Sequence, residues 1–389
     1  MKKTLYLIIV VAVISSVSYL FLLSKSATDK VVDSSVNRSA TNKAADKEIN
    51  TSFESKTENQ SSPPTHSDVS DSTQMFDYGE CYSFDQKHAE KLAEKQDMYL
   101  DTLKNSAIKD DKIAYTIFNN MTYPKPSKLQ EVGQLKLDAL LNLDLIEEPL
   151  VAQEILHTCT ALSQYERCDN DLIEKLTSQH KDDSELWLRA TDYYLKTEQD
   201  DLVFNAIEQV KQSKYSSSYS YLFIDAYTNA MEKAGIGSYN SNVTRALFYY
   251  NTTRLPLHDK TSEWCRGNLD KDKYTQGCLD LATMLEQKSH DLLSKIMGIT
   301  FQNYVYNAEG NTELLEILEQ RSNKLQPKYL SDEFTKLLDV SKTVFQYENL
   351  LRAYIANSAI LGEVGAFAPL EDEVMAFRAS DQYVGCSGF

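Results

Sequence analysis

From Phe76 to the end of the chain, apolar residues recur three and four positions apart in one segment after another, and no run alternates with a period of two over a convincing length. That spacing gives each segment one apolar stripe on a helix and argues against a sheet. Leu92, Met98-Tyr99 and Leu103 share one side of a first predicted helix. Ile113, Ile117-Phe118 and Met121 share one side of a second, which ends before Tyr123-Pro124. Leu135, Leu137, Leu140-Leu141 and Leu145 follow, and Pro149, tolerated at a helix start, precedes Val151, Ile155 and Leu156. Asp169 is placed to cap the helix holding Leu172, Ile173 and Leu176. Further helices are predicted over 184–196, 200–212, 217–234, 239–251, 273–306, 311–325, 331–357 and 369–379. The chain of 389 residues has 12 glycines and 8 prolines, too few for the frequent turns of a sandwich or barrel. The expected fold is all-α: stacked helical hairpins, arranged as an α-solenoid-like or a compact helical array.

The first 75 residues read differently. Lys2 and Lys3 precede an uncharged apolar run from Leu5 to Leu23. At 1.5 Å per residue this run spans about 28 Å, close to the hydrocarbon thickness of a bilayer. A cleavable signal peptide has a shorter apolar core, so the run reads as an uncleaved transmembrane anchor behind a cytoplasmic stub, residues 1–4. A removed signal is the alternative, since Ser24 and Ser26 satisfy the small-residue requirement at a cleavage site. With the two lysines held inside, the rest of the chain is expected outside the cytoplasmic (inner) membrane, in a periplasmic setting. Residues 24–75 are rich in Ser, Thr, Asn, Asp and Lys, with Phe53 their only aromatic. Such a stretch buries too little apolar surface to offset its conformational entropy, and it is expected to be a disordered tether with a reach of roughly 40 Å. Residues 76–389 form the helical domain.

Six cysteines lie outside the anchor and tether: Cys81, Cys159, Cys168, Cys265, Cys278 and Cys386. An even set in an exported domain reads as disulfides. Six cysteines allow 15 pairings. Local spacing favours Cys159–Cys168 and Cys265–Cys278, which leaves Cys81 with Cys386 as a pair or as two free thiols. The net charge of −17 repels nucleic acid, so no nucleic-acid partner is expected.

The segment Ser184 to Val210 carries Trp187 and Tyr194 seven apart, an acidic turn over Glu198–Asp201, and apolar Val203, Ile207 and Val210. It resembles a degenerate tetratricopeptide hairpin, with Thr197-Glu198 in the turn and no proline after it. The resemblance covers this unit, extends to a neighbour over 149–180, and implies an α-hairpin architecture, not the family's binding groove. The whole layout resembles membrane-anchored, exported bacterial helical proteins, which implies an address and no activity.

Chemical motifs are few. His157, Cys159 and Cys168 offer three metal ligands at loose spacing, short of the four that a structural zinc site needs. Asp270 and Asp272 begin a calcium-loop pattern, but Tyr274 and Thr275 stand where a ligand and the turn glycine belong. Ser178-Gln179-His180-Lys181 matches Ser-x-x-Lys without its Lys-Thr-Gly companion, and Lys181 to Asp183 read as a solvated turn between helices. Neither metal nor cofactor is expected, and no catalytic residue is assigned. Tyrosine, with 24 copies, is the over-represented side chain. Tyr215, Tyr219 and Phe223 fall four apart, as packing between helices requires; the sharper use of such residues is a binding surface, here Trp187, Tyr194, Tyr215 and Tyr219. The function expected from these residues is a non-enzymatic interaction or scaffolding module of the cell envelope, with a protein or peptide partner. The alternative is a peptidoglycan hydrolase working through carboxylates that a single sequence does not reveal.

Overall fold

The computed structural model describes residues 86–119, 128–253, 259–325, 332–381 and 383. The expected anchor (5–23), the expected tether (24–75), Cys81 and Cys386 all lie outside the described residues. Among the described residues no helix is long and apolar enough to cross a membrane.

Sixteen α-helices run through the described residues, with no β-strand. They are α1 (Gln86–Thr102), α2 (Lys109–Phe118), α3 (Leu129–Asn142), α4 (Pro149–Ala161), α5 (Asn170–Gln179), α6 (Ser184–Lys196), α7 (Asp200–Gln212) and α8 (Tyr219–Lys233). The second half comprises α9 (Tyr239–Thr253), α10 (Asp259–Gly267), α11 (Asp272–Lys288), α12 (Leu292–Glu309), α13 (Thr312–Leu325), α14 (Asp332–Gln346), α15 (Glu348–Gly365) and α16 (Glu371–Arg378). The all-α expectation holds, and its cap assignments hold with it. Pro149 opens α4, and the Asp169 side chain accepts a hydrogen bond from Leu172 N at 2.9 Å.

Two long predicted helices are each two helices. The segment 273–306 breaks at Ser289–Asp291, because Asp291 leaves the helix to cap a new one, accepting from Ser294 N at 2.7 Å. The segment 331–357 bends at Tyr347, whose buried ring stands edge-on to Phe377 of α16 at 4.8 Å. No helix is expected from the sequence at α10, since its nine residues, Asp259–Gly267, include only two apolar side chains, Trp264 and Cys265. The helix is held by Trp264 and by the disulfide at Cys265.

Helix α8 organises the centre. Tyr219, Phe223, Tyr227 and Met231 recur every fourth residue, and none is more than 2% exposed. Phe118 of α2 stands edge-on to Phe223 at 5.0 Å and to Tyr227 at 5.2 Å, and Tyr250 of α9 packs on Tyr219 at 5.5 Å. Helices α2, α4 and α15, distant in sequence, all pack on α8 alongside its neighbour α9. Polar links also span the sequence: Gln96 donates to Asn242 at 2.6 Å, Lys233 pairs with Asp111 at 2.7 Å, and Asn240 donates to the Phe345 carbonyl at 2.9 Å. In a simple solenoid each unit meets its neighbours alone; this array doubles back on itself. Neighbouring helices still pair along their length, most extensively α11 with α12, α6 with α7, and α8 with α9.

Candidate functional site

The four residues of the sequence-derived binding surface do not share one face. Trp187, Tyr194 and Tyr219 are buried, while Tyr215 is 54% exposed on the loop before α8. The Trp187 indole donates to the Lys181 carbonyl at 3.1 Å, and burial pushes the Tyr194 hydroxyl up to about 12. Tyr219 donates to Glu154 of α4 at 2.5 Å, and Lys136 pairs with the other oxygen of that carboxylate. The regular tyrosine spacing is therefore core packing; only the loop residue Tyr215 meets solvent.

Two disulfides are present among the described residues. Cys159–Cys168 ties the end of α4 to the loop before α5, and Cys265–Cys278 ties α10 to α11, each with Cα atoms 5.3 Å apart. The first bond uses up two of the three loosely spaced metal ligands. The second sits beside Trp264 and Tyr274, which donate to the two oxygens of Asp200 at 3.1 and 2.7 Å. The acidic turn between α6 and α7 is thereby docked on the α10–α11 staple. Gly277 permits this approach, since a Cβ there would lie 2.5 Å from the Phe204 ring.

Asp270 and Asp272 are exposed, and no group of His, Cys, Asp and Glu among the described residues is arranged to hold a metal ion. In the Ser-x-x-Lys segment, the Ser178 hydroxyl donates to the Lys175 carbonyl at 3.0 Å. His180 Nε2 lies 2.9 Å from the Ile146 carbonyl, and Lys181 is exposed. The expected solvated turn, Lys181 to Asp183, holds for exposed Lys181 and half-buried Asp182, but Asp183 is buried.

Asp183 belongs to the most unusual cluster in the molecule, where three helix starts converge. Asp183 caps α6, accepting from Glu185 N at 3.1 Å, and also holds Ser217 through its N–H (2.9 Å) and hydroxyl (2.6 Å). Ser218 caps α8, and Asp291 caps α12. Each cap satisfies N–H groups that a helix start leaves open, and acidic caps also meet the positive end of the helix dipole. Ser289 crosslinks them, donating to Asp291 at 2.8 Å with Glu185 at 3.4 Å. The sole buried guanidinium of the cluster, Arg189, lies 3.1 Å from Glu185 and 4.4 Å above the Tyr219 ring. Burial opposes its charge, but Glu185, Tyr250, Tyr219 and Asp291 outweigh it and raise the Arg189 pKa. His290, between Ser289 and Asp291, is held below the ordinary histidine range by burial and by Lys295.

Helix α15 completes the cluster at a kink. Gly362 adopts φ 73°, a left-handed conformation, and a Cβ there would lie 2.7 Å from the His290 carbonyl. The next residue, Glu363, donates its N–H to that carbonyl at 3.1 Å and accepts from Leu292 N at 3.2 Å through Oε2. Burial, then the charge of Asp291, pushes the Glu363 carboxyl up to about 7, against hydrogen bonds from Leu292 N and Ser220. A perturbed carboxyl beside a second one marks a place to look for function, although structural networks perturb pKa values as well.

Surface concavities lie elsewhere. One of about 500 Å³ is lined by Leu141, Glu166, Arg167, Asp169 and Leu172, near the Cys159–Cys168 bond. Another, of about 470 Å³, lies between α14 and α16 and includes Asp339 and Arg378. Neither is lined by Asp291 or Glu363. Comparison with known proteins yields no match: no family model, no curated protein and no solved structure is significantly similar to this chain. The class these observations define is an all-helical, disulfide-bonded array with a buried polar junction.

Proposed function

We propose that the array is a non-enzymatic binding module of the bacterial cell envelope, displayed outside the cytoplasmic membrane by the 5–23 anchor on the 24–75 tether. The observation that carries this reading is the use made of its buried carboxylates. Asp111 pairs with Lys233, Glu154 with Lys136 and Tyr219, Glu185 with Arg189, and Asp183 and Asp291 cap helices. Groups engaged in caps and ion pairs hold a scaffold in shape; they are poorly placed to donate or accept protons for a substrate. The two disulfides support an oxidising compartment, where cysteine pairs persist. Helices α6 and α7 serve as a degenerate tetratricopeptide-type hairpin, with Trp187 and Tyr194 packed inside as such a unit requires.

A peptidoglycan hydrolase is the second reading, and Glu363 favours it, since a carboxyl with a raised pKa near a second carboxyl, Asp291, suits the general acid of glycoside hydrolysis. Two measurements test the proposal. A reporter fused after residue 75 is expected to be active only in the exported compartment, and cytoplasmic activity contradicts the address. The purified full chain, incubated with peptidoglycan at pH 5 to 8, is expected to release no soluble fragments. Release that is lost in Glu363→Gln makes the hydrolase reading the correct one.

A further inference from the structure

We propose that a buried site for ordered water joins α1, α8 and α9, lined by Gln96, Tyr227 and Arg245. Four polar atoms of these side chains are buried without a hydrogen-bond partner among the described residues: Gln96 Oε1, the Tyr227 hydroxyl, and Arg245 Nε and Nη1. Gln96 and Tyr227 are fully buried, and the Arg245 side chain is 11% exposed. The surrounding bonds fix which atoms are left over. Asn242 of α9 donates through Nδ2 to the Ile236 carbonyl at 3.0 Å, and a carbonyl can only accept. Asn242 therefore turns Oδ1 toward Gln96, which meets it with Nε2 at 2.6 Å. Gln96 Oε1 is thereby left as an unmet acceptor.

One turn further along α9, Arg245 uses a single nitrogen, Nη2, for both of its bonds, to Asp97 at 2.6 Å and to the Tyr249 hydroxyl at 3.1 Å. Asp97 directly follows Gln96, so two short bonds hold the Gln96 carboxamide and the Arg245 guanidinium side by side. From α8, the Tyr227 hydroxyl lies in the field of Arg245, Tyr249 and Asp97, and burial keeps it protonated.

The lining selects the ligand. Arg245 Nε and Nη1 only donate, Gln96 Oε1 only accepts, and the Tyr227 hydroxyl does both. No two of these atoms meet directly, so what joins them must donate and accept at once. Water does this, and a buried water typically makes about three hydrogen bonds to groups of this kind. An anion would face the lone pairs of Gln96 and the Asp97 carboxylate, which already balances Arg245; a cation would face the guanidinium. Nε and Nη1 point from different edges of the guanidinium, so more than one water molecule serves the site. Buried polar groups are nearly always satisfied in native proteins, and each one left unmet weakens the fold.

The test has two arms. A crystal structure of the full chain that resolves ordered solvent is expected to place water within about 3.2 Å of Arg245 Nε or Nη1 and of Gln96 Oε1 or the Tyr227 hydroxyl. Empty space there, or side chains rotated so that Arg245 bonds Gln96 or Tyr227 directly, overturns the site. The second arm turns on the sign of one substitution. Tyr227→Phe removes a hydroxyl and little else: a hydroxyl bonded to water is missed, whereas one with no partner is better gone. Urea denaturation of the full chain should show the folding equilibrium constant of the variant falling roughly five-fold. A variant as stable as the wild type, or more stable, overturns the proposal. If the variant does not fold, the wild-type crystal structure decides alone.

Discussion

Replacing Gly298 by alanine tests whether the α11–α12 contact is as close as it stands. A methyl in mid-helix normally helps, since alanine is favoured over glycine by about 1 kcal/mol. At this position the new Cβ would lie 2.5 Å from the Ala282 carbonyl oxygen and 2.7 Å from Glu286 N, both backbone atoms of the facing helix. No side chain can rotate away, so α11 and α12 must separate by several tenths of an ångström along their whole contact. Overpacking of this kind costs about 1–3 kcal/mol, and with the fit of both helices at stake the upper half of that range applies. The expected net effect is a loss of about 1–2 kcal/mol. Gly267, the last residue of α10, supplies the control, because a Cβ there meets nothing within 4 Å. Gly267→Ala should be neutral or slightly stabilising. Urea denaturation followed by circular dichroism reads both variants against the wild type. The reasoning fails if Gly298→Ala is as stable as Gly267→Ala.

Three further outcomes are expected. Phe223→Ala, which empties the centre of the α8 contact with Phe118 and Tyr250, should cost about 3–5 kcal/mol in the same urea assay; a cost under 1 kcal/mol would mean that α8 is not central. Replacing Cys265 and Cys278 together by serine should cost about 3 kcal/mol, and non-reducing peptide mapping of the natural protein should recover both this pair and Cys159–Cys168. Finally, the folded Glu363 carboxyl titrates above the unfolded one, so its stabilising contribution is full below pH 4.5 and is lost as pH rises through about 7. Discounted for the partial exposure of Glu363, that loss is about 2 kcal/mol; Glu363→Gln should lack this component, and an identical pH profile in both proteins would refute it.

Much of this fold is legible in the sequence because its helices announce their ends. Helices α6 and α7 occupy the residues expected of them, since Asp183 and the Glu198–Asp201 turn interrupt a clear apolar period. The break inside 273–306 is harder to see: Asp291 looks like any exposed acid until it is found capping a helix. Helix α15 runs past the predicted end at 357 to Gly365, and its kink at Gly362 is invisible in the sequence because it meets the distant His290 carbonyl. The periodicity of Tyr219, Phe223 and Tyr227 identifies a stripe but not the direction in which it faces, and the structure turns it inward. Trp187 and Tyr194 are buried for the same reason. The polar junction was beyond sequence reasoning altogether. Its members are spread from Asp183 to Glu363, each unremarkable in its own segment, and tertiary packing alone brings them together.

The account's central claim, that this is an envelope binding module, is tested most directly by crosslinking in native membranes. A photo-activatable residue at the exposed position 215 is compared with one at buried position 219, and captured proteins are identified by mass spectrometry. The account predicts that position 215 captures the same small set of envelope proteins in every preparation, while position 219 yields crosslinks within the chain itself. Absence of any reproducible partner from position 215 and from further probes placed over the exposed helix faces, combined with release of fragments from peptidoglycan, would contradict it.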